Sequence, residues 1–399
     1  FMCECMYMCV YIRVCVCVRV CVWLCVREKG ACVCVRFFSP PPLPSMASSS
    51  VNPDITGEFG PEMDETVASI VAPGRGILAA DESTGTIGAR FSKIGLENNE
   101  DNRRRYRELL FTTNPEVGKF ISGAILYEET LFQLARDGVS MVDHMKRQNI
   151  IPGIKVDKGV VPLPGSPAEV TTQGLDGLAE RCQKYYQAGA RFAKWRAVYS
   201  ITDKLPSAQC IELNAVGLAR YAAICQSNGL VPIVEPEVLM DGEHSVERSI
   251  EVTREVLSAV FRALVENKVN LSRILLKPNM ALAGLQGGKP AEAAVAARAT
   301  LDVLRDVVPP AVNGIVFLSG GQTEAEATEH LDLINKLNKS LPRPAPWAIS
   351  FSYGRALQAS CIKTWDGKEE NVSAAQDVYF KRAKLNSAAA LGEYDPSME

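Results

Sequence analysis

The chain has 399 residues, 47% of them hydrophobic and 22% charged, with a formal net charge of −3. That is ample apolar material for a globular core and no basic surplus for general nucleic-acid binding. Its three histidines, His144, His244 and His330, lie at no metal-ligand spacing from one another or from a cysteine, so the sequence predicts no metal site.

The first 45 residues stand apart. Nine of the 13 cysteines fall within the first 34 residues. From Cys5 to Arg27, Cys, Tyr, Arg and Trp alternate with Met, Val, Ile and Leu, as a translated TG dinucleotide repeat would read. Met46 then opens MASSSVNP. Residues 1–45 are expected to be a non-native leader or a targeting segment, and residues 46–399 the working domain. Arg13 and Arg19 interrupt the apolar run and disfavour a membrane span. A β-strand is not expected here, because both alternating residue sets are apolar. Without this stretch the net charge falls to −6, since it carries five basic and two acidic residues. The four remaining cysteines, Cys182, Cys210, Cys225 and Cys361, are widely spaced, which fits free thiols in a reducing compartment.

From Pro61 onward, helical and extended segments alternate. Pro61–Val71 reads as a first helix. Eight apolar segments follow: Ile77–Ser83, Gly123–Glu128, Gly153–Lys158, Ala190–Arg196, Leu230–Glu237, Ile274–Met280, Gly314–Gly321 and Ala348–Arg355. Their starts lie about 30 to 45 residues apart, the length of a strand, a helix and two loops. Between and after them, Leu175–Ala188, Ala208–Asn228, Ser245–Asn267, Ala291–Val308, Glu324–Lys339 and Val372–Ala390 carry apolar residues at helical spacing. Eight such units predict a single-domain α/β (β/α)₈ TIM barrel. The alternative, an open doubly wound sheet, would carry a glycine fingerprint after its first strand. ADESTGTIGARF contains none.

Reactive groups gather at the C-terminal ends of these segments, where such barrels build their sites. Lys277 follows Ile274-Leu275-Leu276. A lysine in apolar surroundings, or beside another cation, loses its proton more readily, and the neutral amine attacks carbonyls. Lys194 occupies a similar place and supplies that second cation if it faces Lys277 across the barrel mouth. Asp81 and Glu235 are strand-end carboxylates suited to moving protons. The plainer reading is that they only balance the lysines. Glu82 and Glu237 rank lower, because strand alternation is expected to point them away. Ser319-Gly320-Gly321 and Tyr353-Gly354-Arg355 form a candidate phosphate site of backbone N–H groups, hydroxyl and guanidinium. Ser83, Thr86, Arg90 and Lys155 form a second. Two anion sites flanking a lysine predict a small carbonyl substrate with a phosphate at each end.

The segments ILAADESTGTIGAR, GIKVDKG, GLDGLAERC, ARFAKWRAV, VPIVEPEVL, LLKPNM, VPPAV, GIVFLSGGQ and SFSYGRALQAS closely resemble class I fructose-bisphosphate aldolases, in family order from about Val71 to Tyr394. The resemblance implies a metal-free, cofactor-free lyase of glycolysis and gluconeogenesis that cleaves fructose 1,6-bisphosphate to dihydroxyacetone phosphate and glyceraldehyde 3-phosphate. It implies Lys277 as Schiff-base lysine, Glu235 as acid/base, Lys194 as assisting cation and Asp81 as base for the C4 hydroxyl. Ser319, Gly320, Ser352, Gly354 and Arg355 match the C1-phosphate contacts. Ser83, Thr86, Lys155, Arg90 and Arg196 match the other end. The resemblance further implies a cytoplasmic homotetramer, or a plastid or other organelle protein if the leader is real. Sugar phosphates are its expected partners, with no nucleic acid or membrane. The other reading is a weakly active relative that binds actin or acidic peptides at the same mouth. Family members usually carry a flexible tail ending in tyrosine beyond the position of Tyr394, which this sequence lacks. Slow bisphosphate cleavage is expected from that.

Overall fold

The computed structural model describes residues 23–28, 31–36, 54–287 and 292–399. The chain divides into two compact units, Phe1–Pro53 and Asp54–Glu399. In the first, Trp23–Glu28 and Ala31–Arg36 pair antiparallel, with Trp23 opposite Arg36 and Glu28 opposite Ala31. This corrects the expectation of no strand. Period-two, valine-rich sequence satisfies its backbone in a ladder whichever faces are apolar. The rest of the expected leader lies outside the described residues.

The second unit is the expected barrel. Its strands are β1 Gly76–Ala80, β2 Ile121–Leu126, β3 Ile151–Lys155, β4 Phe192–Tyr199, β5 Val231–Val238, β6 Leu275–Leu276, β7 Gly314–Phe317 and β8 Ala348–Tyr353. They close in chain order, every neighbouring pair parallel. Helices occur at Leu178–Gln187, Ala208–Gln226, Val246–Glu266, Ala293–Val307, Glu324–Ser340 and Val372–Ala390, within a few residues of the expected bounds. Cys182, Cys210, Cys225 and Cys361 are buried free thiols.

Alternation along each strand sorts the side chains into two layers. One apolar cluster fills the barrel interior, with Ile77 and Ala79 from β1, Ile125 from β2, Phe192 from β4, Val231 and Ile233 from β5, Leu275 from β6 and Val316 from β7. Met63, Val67 and Ile70 of the helix Gly60–Ile70 belong to the same cluster, so the first helix supplies apolar side chains to the barrel interior. The complementary positions, such as Leu78, Ala80, Ala124, Leu126, Trp195, Val234 and Phe317, pack outward under the helices.

Phe192 fills the interior because two inward positions beside it are glycine. A Cβ on Gly153 would lie 2.2 Å from the Phe192 ring, and one on Gly123 would lie 2.9 Å from it. Gly153→Ala is therefore expected to destabilise the barrel by about 1–3 kcal/mol through overpacking. A lower urea midpoint that Phe192→Leu partly restores would bear this out, and an unchanged midpoint would refute it.

The β6 ladder stops after two residues. Pro278 has no N–H to continue it, and the Asn279 side chain instead accepts the Val238 N–H at 2.9 Å. Lys277 is still held on one side, its N–H donating to Val234 O at 2.8 Å, and Pro278 O accepts the Leu318 N–H at 3.1 Å on the other.

Candidate active site

On β1, β4, β5 and β6 the inward row begins apolar and ends in a charged group. Ile77 and Ala79 lead to Asp81, Phe192 to Lys194 and Arg196, Val231 and Ile233 to Glu235 and Glu237, and Leu275 to Lys277. The same two-residue step carries Ile125 to Tyr127, Gly153 to Lys155 and Asp157, and Ser350 to Ser352 and Gly354. These ends surround one cavity of about 500 Å³, which is lined by all fourteen residues the sequence nominated.

At its floor are four charged groups from four strands. Lys194 Nζ is 2.7 Å from Asp81 and 3.3 Å from Glu235, and Lys277 Nζ is 3.2 Å from the other oxygen of Glu235. All four side chains are buried. The ion pairs of the plainer reading are therefore present in the geometry. Burial pushes the Asp81 carboxyl up, but Lys194 and Lys277 outweigh it and bring it to about 2. Burial likewise opposes the Lys194 charge, and the carboxylates of Asp81, Glu235 and Asp157 more than offset it, holding the ammonium well above the ordinary lysine value. Asp81 and Lys194 are therefore both charged throughout the working pH range.

Around this floor the walls are polar. Ser83 caps the helix Thr84–Ser92, accepting from Thr86 N, and its hydroxyl lies 3.0 Å from that of Thr86. Two hydroxyls thus stand at a helix N-terminus, a favourable place for an anion. Opposite, Ser319 accepts the N–H of Ala356 at 3.4 Å and so joins β7 to the helix Arg355–Trp365. The buried Ser352 hydroxyl has no hydrogen-bond partner among the described residues. Lys155 pairs with Asp157 at 2.5 Å, Lys158 with Glu128 at 3.2 Å and Arg196 with Glu237 at 2.5 Å. Arg355 is exposed and is the lining cation without a carboxylate partner among the described residues.

Glu237 lines the cavity, contrary to expectation. Glu235 and Glu237 are two residues apart, so alternation puts them on the same side of β5. Glu82, one residue from Asp81, lines the cavity too, with its carboxylate paired to Arg90 and Arg107. Arg90, placed with the Ser83 end in the sequence, lies close to Gly354 at the other, since a Cβ there would come within 3.7 Å of its guanidinium. Asp157 and Tyr127 went unnoticed, although the two-residue step from Lys155 and Ile125 points to both.

The family model described as fructose-bisphosphate aldolase class-I matches residues 62–399. This chain belongs to the class I fructose-bisphosphate aldolase family. It is 59% identical over 342 residues to a fructose-bisphosphate aldolase of Dictyostelium discoideum, covering 85% of this chain and 94% of the other. It is 55% identical to the cytosolic aldolase 6 of Arabidopsis thaliana, over 85% and 93% of the two chains. Chloroplastic aldolases of the same plant are also among its relatives. A solved aldolase of Plasmodium falciparum, in complex with TRAP and a small-molecule inhibitor, superposes with a TM-score of 0.82 at 55% identity, over 85% of this chain and 96% of the other. As a member of the family this chain is a lyase on a (β/α)₈ barrel.

Proposed function

We propose that the cavity cleaves fructose 1,6-bisphosphate reversibly through an imine on Lys277. The observation that carries the reading is the shared contact of Lys277 and Lys194 with the two oxygens of Glu235, with Asp81 on the far side of Lys194. Lys277 Nζ, once it has given a proton to Glu235, attacks the C2 carbonyl. Glu235 returns a proton to the carbinolamine hydroxyl, water leaves, and a protonated imine forms. Asp81 takes the C4 hydroxyl proton, the C3–C4 bond breaks, and its electron pair moves into the imine to give an enamine. Glyceraldehyde 3-phosphate departs. Protonation of the enamine at C3 and hydrolysis of the imine then release dihydroxyacetone phosphate and free Lys277. Lys194 keeps its positive charge beside both carboxylates throughout.

Ser319, Gly320, Ser352, Gly354 and Arg355 are the proposed contacts for the C1 phosphate, and Ser83, Thr86, Lys155 and Arg196 for the far phosphate. Arg90 stands between the two sets. The reading extends to a cytoplasmic homotetramer, supported by the cytosolic relatives and by Leu213 and Val265, exposed apolar side chains on the helices Ala208–Gln226 and Val246–Glu266. The exposed Arg355 also favours a second use of the mouth, binding of acidic peptide in competition with substrate.

Borohydride trapping tests the reading. Reduction in the presence of fructose 1,6-bisphosphate is expected to leave a stable sugar-phosphate adduct on the peptide that contains Lys277. Folded protein with no lysine adduct would refute the imine.

A further inference from the structure

Glu82 is 8% exposed and forms part of the cavity wall, where the reaction above gives it no task. Its Oε1 lies 2.5 Å from Arg90 and accepts from Gln358 at 3.1 Å, and its Oε2 accepts from Arg107 at 2.6 Å. One carboxylate thus serves two guanidinium groups, leaving a surplus positive charge. Arg107 is as buried as Glu82 and cannot meet a ligand, whereas a fifth of the Arg90 side chain is open and lines the cavity. The surplus is therefore presented to the cavity through Arg90.

Gln358 extends the arrangement. Its amide also donates to Ala79 O of β1 at 2.8 Å, and its carbonyl accepts the Tyr106 hydroxyl at 3.0 Å. Gln358 lies one turn into the helix that opens with Arg355. Glu82 is consequently joined through one buried amide to the helix that begins at Arg355, the lining cation without a carboxylate partner among the described residues.

We propose that Glu82 is a positioning residue for substrate phosphate, holding the Arg90 guanidinium at the cavity wall and tying it through Gln358 to the helix that begins at Arg355. The assignment rests on the phosphate-ended substrate proposed above. A carboxylate pinned by charged partners on both oxygens is poorly placed to move protons, and well placed to fix the direction of a fork-shaped donor.

The test is a double-mutant cycle of Glu82→Gln with Arg90→Met, read by the KM and kcat for fructose 1,6-bisphosphate and by titration of inorganic phosphate into the free protein. Glu82→Gln is expected to raise KM about tenfold, to change kcat less than about threefold and to weaken phosphate to a similar extent as KM. In the Arg90→Met background it should add nothing further, because the two residues act as one. Glu82→Asp keeps the charge and shortens the reach, so an intermediate rise in KM is expected; it carries the test if the glutamine variant does not fold. Additive effects in the cycle, or a fall in kcat at unchanged KM, would overturn the proposal. Trapping on the parent protein keeps the two readings separate. An adduct on Lys277 with an additive cycle removes only the role of Glu82. A coupled phosphate cycle without an adduct removes only the imine.

Discussion

Lys277→Met is expected to lower the cleavage rate of fructose 1,6-bisphosphate by at least about 100,000-fold, the scale on which loss of a covalent nucleophile is felt. It is also expected to abolish trapping by borohydride. The argument is one of geometry. Lys194 has the same functional group on the other oxygen of Glu235, but it lies 2.7 Å from Asp81 and 3.3 Å from Glu235 and is held charged by them. A protonated amine has no lone pair with which to attack a carbonyl. Lys277 forms its ion pair with Glu235 alone among the described residues. The variant keeps the Lys194 pairs, so one cation still faces both carboxylates and the fold should survive with a modest loss of stability. Circular dichroism and a urea midpoint establish that. An adduct appearing on Lys194 in the variant, or turnover within about a hundredfold of the parent, would show that the two lysines are interchangeable and that the assignment is wrong.

Why the sequence pointed to this lysine, and what it failed to show, follow from the same two-residue period. The apolar starts of the strands and their charged ends lie on one inward row, so both the barrel and its floor of Asp81, Lys194, Glu235 and Lys277 are legible in eight short segments. Strict use of that step would also have found Tyr127, Asp157 and Glu237. Other elements carried no such signal. The helix Glu100–Phe111 begins EDNRRR and has apolar residues only near its end, yet Asn102 and Arg107 are buried in it. Its inner face is held partly by the ion pair with Glu82, a partner distant in sequence and invisible to periodicity. The antiparallel pair Val160–Leu163 and Ser166–Thr172 was missed because its exposed residues break the apolar alternation. The helix Arg355–Trp365 starts at the residue that ends the eighth apolar segment, so no break in the sequence marks it.

Lys194→Met should act on both rate and stability, and pH separates the causes. In the parent, Asp81 titrates at about 2 despite its burial, because nearby cations outweigh desolvation, Lys194 first among them. A folded-state value below the unfolded one contributes stability, on the order of 2 kcal/mol, that is fully present above the ordinary carboxylate value near 3.9 and is lost progressively as pH falls from there through about 2. Removing Lys194 takes away the strongest opposing charge and leaves burial to push the carboxyl upward. Once its folded value exceeds the unfolded one, the sign reverses. The folded state then binds more protons than the unfolded, and stability falls as pH rises. The variant is therefore expected to lose about 3–5 kcal/mol at pH 8, the usual cost of stripping the partner from a buried charge, and distinctly less at pH 5. Its rate should drop by about a hundredfold or more, and the acid limb of kcat/KM should move to higher pH as Asp81 becomes protonated. Urea midpoints at pH 5 and 8 and a pH–rate profile measure all three. A stability difference from the parent that is independent of pH would mean that Asp81 does not depend on Lys194 for its charge, and the electrostatic account of the floor would fail with it.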